Sequence, residues 1–277
     1  MLELPIQINY SEAYLTLKCN LNCDYCINDD SGVVRDRKLL SAEQWIDGLS
    51  SINFKHPLTL GGGEPTIHPE FFKLVRDMPS NIDLDLLTNL QFNADRFIAE
   101  VPKSRFKGNG AFKSIRASFH QTHDPLEVIA KLSKLQDAGF GVGLFGINHP
   151  DNTERNIQMS ELSRKAGVYF FIKDFLGDYG GYTTGIYRYP FAVDKGKINR
   201  VRCRINEFIT DPEGDVYGCH KDLYKKHRPI QNILDKKPIN LDFRECGECG
   251  NCNPCDIKLK TNRFLKMGYS SVEIERR

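Results

Sequence analysis

The sequence predicts an α/β fold, a partial (β/α)6 barrel over residues 1–200 followed by a small cysteine-rich domain over residues 201–277. Two patterns carry this prediction. Short apolar runs alternate six times with amphipathic stretches of helical length, as in a parallel sheet with helical crossovers. Beyond residue 200 the texture turns short, turn-rich and rich in cysteine. Six units point to an open barrel, because a closed one of this kind takes eight.

Strands are expected at Tyr14–Leu17, Pro57–Leu60, Ile82–Leu87, Ser114–Ser118, Val142–Ile147 and Val168–Ile172. A helix starts after Ser41, a good N-cap, with Glu43 and Gln44 in its first turn. Further helices are expected over Pro69–Met78, Asn93–Val101, Pro125–Ala138 and Asn152–Ala166, with Gly139 and Gly167 placed to end the last two. The segment Phe175–Arg200 is rich in Gly and Tyr, has weak periodicity, and reads as a connector that also lines a site.

Composition is that of an ordinary globular protein: 277 residues, 40% hydrophobic and 27% charged. No apolar run approaches the roughly 20 residues of a membrane helix, and the N-terminus has no basic-then-apolar signal. A cytoplasmic protein with no membrane partner is expected. Net charge is +2. Residues 196–277 carry 17 Lys and Arg against 12 Asp and Glu, but without interleaved aromatics or a binding motif, so nucleic acid is not expected. A solvated basic face, or one that offsets anionic thiolates, accounts for the excess.

The nine cysteines fall into two groups, Cys19, Cys23 and Cys26, then Cys203, Cys219, Cys246, Cys249, Cys252 and Cys255. Tight thiol clusters in a cytosolic chain of this size read as metal ligands. The first group has CxxxCxxC spacing with Tyr25 before the last cysteine. Three thiolates hold three irons of a [4Fe–4S] cube and leave the fourth open, as a catalytic cluster needs. A zinc knuckle is the competing reading, but zinc takes four ligands and no histidine is near in sequence. One strand later comes Gly61-Gly62-Gly63-Glu64-Pro65, whose glycines permit close backbone approach. Polar groups follow the later strands too: Thr88 and Asn89, then Ser118, His120 and His123, then Asn148, then Lys173 and Asp174. All would lie at the C-terminal rim, where barrel active sites occur.

The cysteine loop and the glycine–glutamate motif together resemble the radical S-adenosylmethionine (SAM) superfamily. The resemblance implies that Cys19, Cys23 and Cys26 bind the cluster and that its open iron holds SAM, which is cleaved to a 5′-deoxyadenosyl radical. It implies that Gly62, Gly63 and Glu64 hold the SAM amino group, that Tyr25 borders the cofactor, and that Ser118 and Asn148 contact SAM further. His120, His123, Lys173 and Asp174 are candidates for acid–base work.

The second group has its own pattern. Cys203 is followed by ten residues, Gly214, four residues and Cys219, with a turn at Asp211-Pro212-Glu213-Gly214 that brings the two cysteines together. The dense run Cys246 to Cys255 follows. This resembles the SPASM/Twitch extensions that carry auxiliary clusters, although a full SPASM domain has a further cysteine after such a run. The resemblance implies one auxiliary [4Fe–4S] cluster on Cys203, Cys219, Cys252 and Cys255, with Cys246 and Cys249 as alternates. A zinc site built from four of the six is the competing reading. His220, next to Cys219, is a further candidate for proton transfer or for tuning the cluster.

A fully ligated auxiliary cluster that accepts an electron implies net oxidation of a small polar substrate of the sugar or cyclitol kind. Peptide or protein modification by oxidation, crosslinking or epimerisation is the alternative. With the cysteine loop starting at residue 19, no leader-peptide domain is expected before it, which weighs towards a small molecule. A non-catalytic iron–sulfur electron carrier is the third reading, and the open three-cysteine site argues against it. Reduced flavodoxin or ferredoxin is the expected electron donor, by resemblance.

Overall fold

The computed structural model describes residues 1–26, 32–106, 113–175, 177–184, 199–249, 260–261, 269–270 and 272–276. Six parallel strands run in sequence order through one sheet: β1 (Tyr10–Thr16), β2 (Leu58–Gly62), β3 (Leu84–Thr88), β4 (Ile115–Ser118), β5 (Val142–Asn148) and β6 (Tyr169–Asp174). Helices α1 (Ala42–Ser50), α2 (Phe71–Asp77), α3 (Ala94–Glu100), α4 (Pro125–Asp137) and α5 (Thr153–Ala166) make the crossovers. This is the expected open (β/α)6 arrangement.

The helices begin and end for local reasons. Ser41 caps α1 with a full capping box closed by the Gln44 side chain. Asp124 caps α4 by accepting from the amides of Leu126 and Glu127, ahead of Pro125 in the first turn. Gly167 ends α5 at φ +66°, a conformation glycine adopts without penalty. Their apolar faces meet the sheet in one core that includes Trp45, Leu49, Phe71, Phe97 and Leu132 with Ala13, Leu15, Leu60, Leu86 and Leu144 of the strands.

β1 starts four residues before the expected Tyr14, and the reason is physical. Its other face carries Tyr10, Glu12, Tyr14 and Thr16, all buried. Buried polar residues on a central strand hide it from an apolar pattern. They lie on the concave face, whose polar groups satisfy one another: Arg116 binds the Asp85 carboxylate and donates to the Tyr10 hydroxyl at 3.0 Å, and the Thr59 hydroxyl donates to Asp85 at 2.8 Å.

The sheet does not stop at residue 200. After the hairpin of β7 (Gly177–Tyr179) and β8 (Tyr182–Thr184), strand β9 (Asn199–Ile205) leads to β10 (Glu207–Thr210), which pairs parallel to β1. β11 (Asp215–Tyr217) turns back antiparallel, with Gly214 at φ +84° in the turn, and β12 (Gln231–Asn232) completes nine strands. Between them lies the short helix α6 (His220–Lys225). β9 also sits between β13 (Arg244–Cys249) and β14 (Val272–Arg276), antiparallel to both. The cysteine-rich segment thus begins as an extension of the barrel sheet.

A buried ion pair staples this extension to the chain after the cysteine loop. Arg37 binds Asp211 at 2.7 Å, both side chains being essentially inaccessible, and donates to the carbonyls of Val34, Leu223 and Tyr224. Asp211 also accepts from the amides of Glu213 and Asp215 and from the Tyr217 hydroxyl. Arg37→Ala leaves that carboxylate buried without its cation. We expect a loss of about 3–5 kcal/mol, read by urea unfolding of the apo protein. Among the described residues, no helix is long and apolar enough to cross a membrane.

Candidate functional site

The cysteine loop leaves the C-terminal end of β1, so the barrel places Cys19, Cys23 and Cys26 at the rim. The glycine loop after β2 packs directly against it. The Gly63 amide donates to the Thr16 carbonyl at 2.7 Å and the Glu64 amide to the Lys18 carbonyl at 2.9 Å. A Cβ on Gly62, whose φ is +129°, would lie 2.0 Å from the Thr16 oxygen, and one on Gly63 would lie 2.1 Å from the Lys18 oxygen. The expected close approach is therefore between these two loops.

Glu64 is fully buried, and protein donors surround its carboxylate. The Asn89 amide donates at 2.6 Å, the Thr88 hydroxyl at 2.8 Å, and the Thr66 hydroxyl and amide at 2.5 and 3.2 Å. Burial raises its pKa, and these donors pull it back. In this structure Glu64 locks the ends of β2 and β3 together, a task the sequence reading did not assign to it.

Around the three thiols the chain supplies hydrogen-bond donors. Asn89 Nδ2 lies 3.5 Å from Cys19 Sγ, and the Leu21 amide lies 3.4 Å from the same sulfur. His120 Nδ1 lies 3.3 Å from Cys23 Sγ and 3.4 Å from the Tyr25 hydroxyl. The Tyr25 ring stacks on His120 at 6.1 Å and packs against His149 at 5.4 Å, while Asn152 donates to its hydroxyl at 3.4 Å. Phe175 and Tyr179 close on His149 from the other side, the Tyr179 hydroxyl donating to Asp151 at 2.5 Å. The Gly- and Tyr-rich connector thus reaches the rim at these two residues.

All three cysteines are half-buried and lie within electrostatic reach of one another. Burial raises the Cys19 thiol and pushes Cys23 up to about 11. A bound cation would reverse this by stabilising the thiolates. A single zinc ion needs its sulfurs within about 4 Å of one another. Among the described residues, no three of these thiols and His120 place their ligand atoms mutually within 4.8 Å. Three thiols at one rim, two of them faced by donors, match the donor set of a four-iron cube with one iron left open.

Burial also lowers His120 and His123 to about 4. Their folded pKa values lie below the unfolded value near 6.5, so the folded state holds fewer protons between the two. The stability they contribute is complete above pH 6.5 and is lost as pH falls towards 4. We expect the apo protein to be less stable at pH 5 than at pH 7, with protons taken up on unfolding, measured by urea titrations across that range.

The other rim candidates are more scattered. Ser118 ends β4 half-buried and pairs in register with Phe145. Asn148 and Asp174 face each other in register at the exposed ends of β5 and β6, and Lys173 lies over the Phe145 ring at 5.1 Å. His123 is buried behind His120 and accepts from its amide through Nδ1 at 3.4 Å.

A second thiol group forms where β9, α6 and β13 meet. Cys203 is buried, shares a hydrogen bond with Cys246 and lies within electrostatic reach of Cys219. That hydrogen bond and burial raise the Cys203 pKa, and burial raises that of Cys219. The guanidinium of Arg244 stands beside Cys203 and Cys219, held to Asp222 at 2.6 Å. Cys246, expected only as an alternate, is thus brought to the pair. Cys249 ends β13, and Cys252 and Cys255 lie outside the described residues. His220 is buried with Nε2 on Glu207 at 2.9 Å and Nδ1 on the Tyr14 hydroxyl at 3.2 Å. Sequence reasoning did not single out Tyr14, Glu207 or Arg244, and it placed Asn89 at the rim without giving it a role. No local signal in the chain marks the other three.

Fold and site together define a protein with an open parallel barrel and three cysteine thiols gathered at its C-terminal rim. A family model described as the radical SAM superfamily matches residues 14–162, and the chain belongs to that superfamily. It is 35% identical over 91 residues to GTP 3',8-cyclase of Microcystis aeruginosa, a match covering 30% of this chain and 28% of that protein. It is 29% identical over 181 residues to AdoMet-dependent heme synthase of Methanosarcina barkeri, covering 59% and 51%. Its fold resembles that of anSMEcpe with bound AdoMet (TM-score 0.55, 15% identity, covering 82% of this chain and 78% of that one). It also resembles Streptococcus suis SuiB bound to S-adenosylmethionine (TM-score 0.54, 14% identity, 82% and 62%). The chain spans about half or less of the length of these two relatives.

Proposed function

We propose that this protein oxidises a small polar substrate of the sugar or cyclitol kind by hydrogen abstraction, with an auxiliary [4Fe–4S] cluster taking the remaining electron. The observation that carries the reading is the grouping of Cys203, Cys219 and Cys246, with His220 of the buried His220–Glu207 pair directly after Cys219 in the chain. In this reading Cys19, Cys23 and Cys26 hold the catalytic cluster, and one of Cys249, Cys252 and Cys255 completes the auxiliary set. Gly62 and Gly63 shape the SAM pocket beside Tyr25, with Ser118 and Asn148 at its rim. The bound cofactors supply a carbon radical that takes one hydrogen atom from a substrate C–H bond.

The chain's own residues do the rest. The concave face binds and orients the substrate. Arg244, beside Cys203 and Cys219, offsets the negative charge of bound thiolates. Both ring nitrogens of His220 are engaged, Nε2 by Glu207 and Nδ1 by the Tyr14 hydroxyl, so the proton released as the substrate radical gives up its electron would reach His220 through that hydroxyl. Reduced flavodoxin or ferredoxin supplies the electron that starts each SAM cleavage.

The test is a panel of sugar alcohols, aminocyclitols and peptides, incubated anaerobically with the reduced holoprotein and SAM. A product two hydrogens lighter than a small polyol, formed with one 5′-deoxyadenosine, supports the reading. A peptide product overturns the substrate class, and an unchanged mass with solvent deuterium incorporated overturns the oxidation. His220→Gln should lower substrate turnover about 10²-fold or more while leaving SAM cleavage intact, and a normal turnover removes His220 as the acceptor.

A further inference from the structure

We infer that His120 and Asn89 are positioning residues that set the reduction potential of the three-cysteine cluster by donating hydrogen bonds to two of its thiolates. Three strand ends converge to make this arrangement. Cys19 and Cys23 belong to the loop after β1, Asn89 follows β3, and His120 follows β4. His120 Nδ1 reaches Cys23 Sγ at 3.3 Å, and Asn89 Nδ2 reaches Cys19 Sγ at 3.5 Å. Both contacts fall within hydrogen-bond range for sulfur.

Both donors are held from behind. The Asn89 amide is bound by the buried Glu64 carboxylate at 2.6 Å, and its side-chain carbonyl accepts from the Gln91 amide at 2.9 Å. Its Nδ2 is also aimed by Asn20 Oδ1 at 2.7 Å. The His120 ring is clamped between Tyr25, stacked at 20° between planes, and His123, edge-on at 5.4 Å. The Glu64 staple thereby places a donor on the cluster loop.

The direction of the effect follows from charge. An iron-bound thiolate only accepts, so the atom facing it must carry the hydrogen. Reduction adds negative charge, part of it on the sulfurs, and a donor there favours the reduced state. Hydrogen bonds to sulfur raise iron–sulfur potentials for this reason. Without these donors the cluster is harder to reduce. The inference rests only on the cluster that superfamily membership implies, so it stands or falls independently of the substrate and of the auxiliary cluster.

The experiment is a redox titration of the reconstituted holoprotein followed by electron paramagnetic resonance. The signal read is the one that changes when SAM is added, which belongs to the cluster with the open iron. His120→Phe keeps a ring against Tyr25 but has no donor, and His120→Gln keeps an N–H donor. The Phe variant should take up iron as the wild type does. At a fixed solution potential its reduced-to-oxidised ratio should be about 2- to 10-fold lower, the worth of one hydrogen bond. The Gln variant should recover most of that loss, and Asn89→Ala should add a second shift of the same sign. Equal behaviour of the Phe and Gln variants, or a potential unchanged in Phe and Ala alike, would overturn the inference.

Discussion

Replacing Cys19, Cys23 and Cys26 together by alanine should abolish SAM cleavage completely and, on the proposed two-cluster reading, should lower the iron content from about eight to about four per chain. The three side chains are the only thiols at the barrel rim among the described residues, and each sits half-buried beside its own donor or neighbour. Asn89 and His120, which face two of these thiols, keep other partners in Asn20 and Tyr25, so the barrel should fold without the thiols. Circular dichroism of the variant should match that of the wild-type apo protein. The about four irons that remain would sit on the second thiol group. A wild type with about four irons and one zinc would instead make that group structural, and a non-oxidative radical reaction would become the better account. The measurement is iron, sulfide and zinc per chain after anaerobic reconstitution.

Gly63→Ala should disrupt the catalytic site although it removes no ligand. The added methyl would lie 2.1 Å from the Lys18 carbonyl oxygen, 2.5 Å from its carbon and 2.8 Å from the Leu17 oxygen. All three are backbone atoms, so no side chain can swing aside. The amides of Gly63 and Glu64 tie the same two segments together, so relief requires breaking those bonds and pushing the cysteine loop outward. We expect a loss of about 2–4 kcal/mol in the apo protein together with failure to hold the catalytic cluster. A different glycine serves as the control. Gly181 has φ +83° but nothing within 4 Å of an added methyl, so its alanine variant should lose stability through backbone strain alone and keep its irons. Retention of iron by Gly63→Ala would show that the two loops need not touch.

Much of this could be read from the chain itself. Six apolar strands at regular intervals, a capping box at Ser41 and glycine at 167 are local signals, because they depend on neighbours within a few residues. The CxxxCxxC spacing and the glycine–glutamate loop are equally local, and the superfamily could be recognised from them. Long-range pairing left no such trace. Cys246, 43 positions after Cys203, reaches it only because β9 and β13 pair antiparallel. Glu207 and Tyr14 hold His220 only because β10 joins the barrel sheet beside β1. Glu64 offered a carboxylate on paper, but two chain segments, at Thr66 and at Thr88–Asn89, fold their donors onto it, and burial makes that use favourable. The sequence by itself determined the barrel, the thiol loop and the superfamily, since periodicity and spacing are properties of contiguous residues. Which thiols meet and which donors face them was decided only in three dimensions, where sheet pairing brings together side chains distant in sequence.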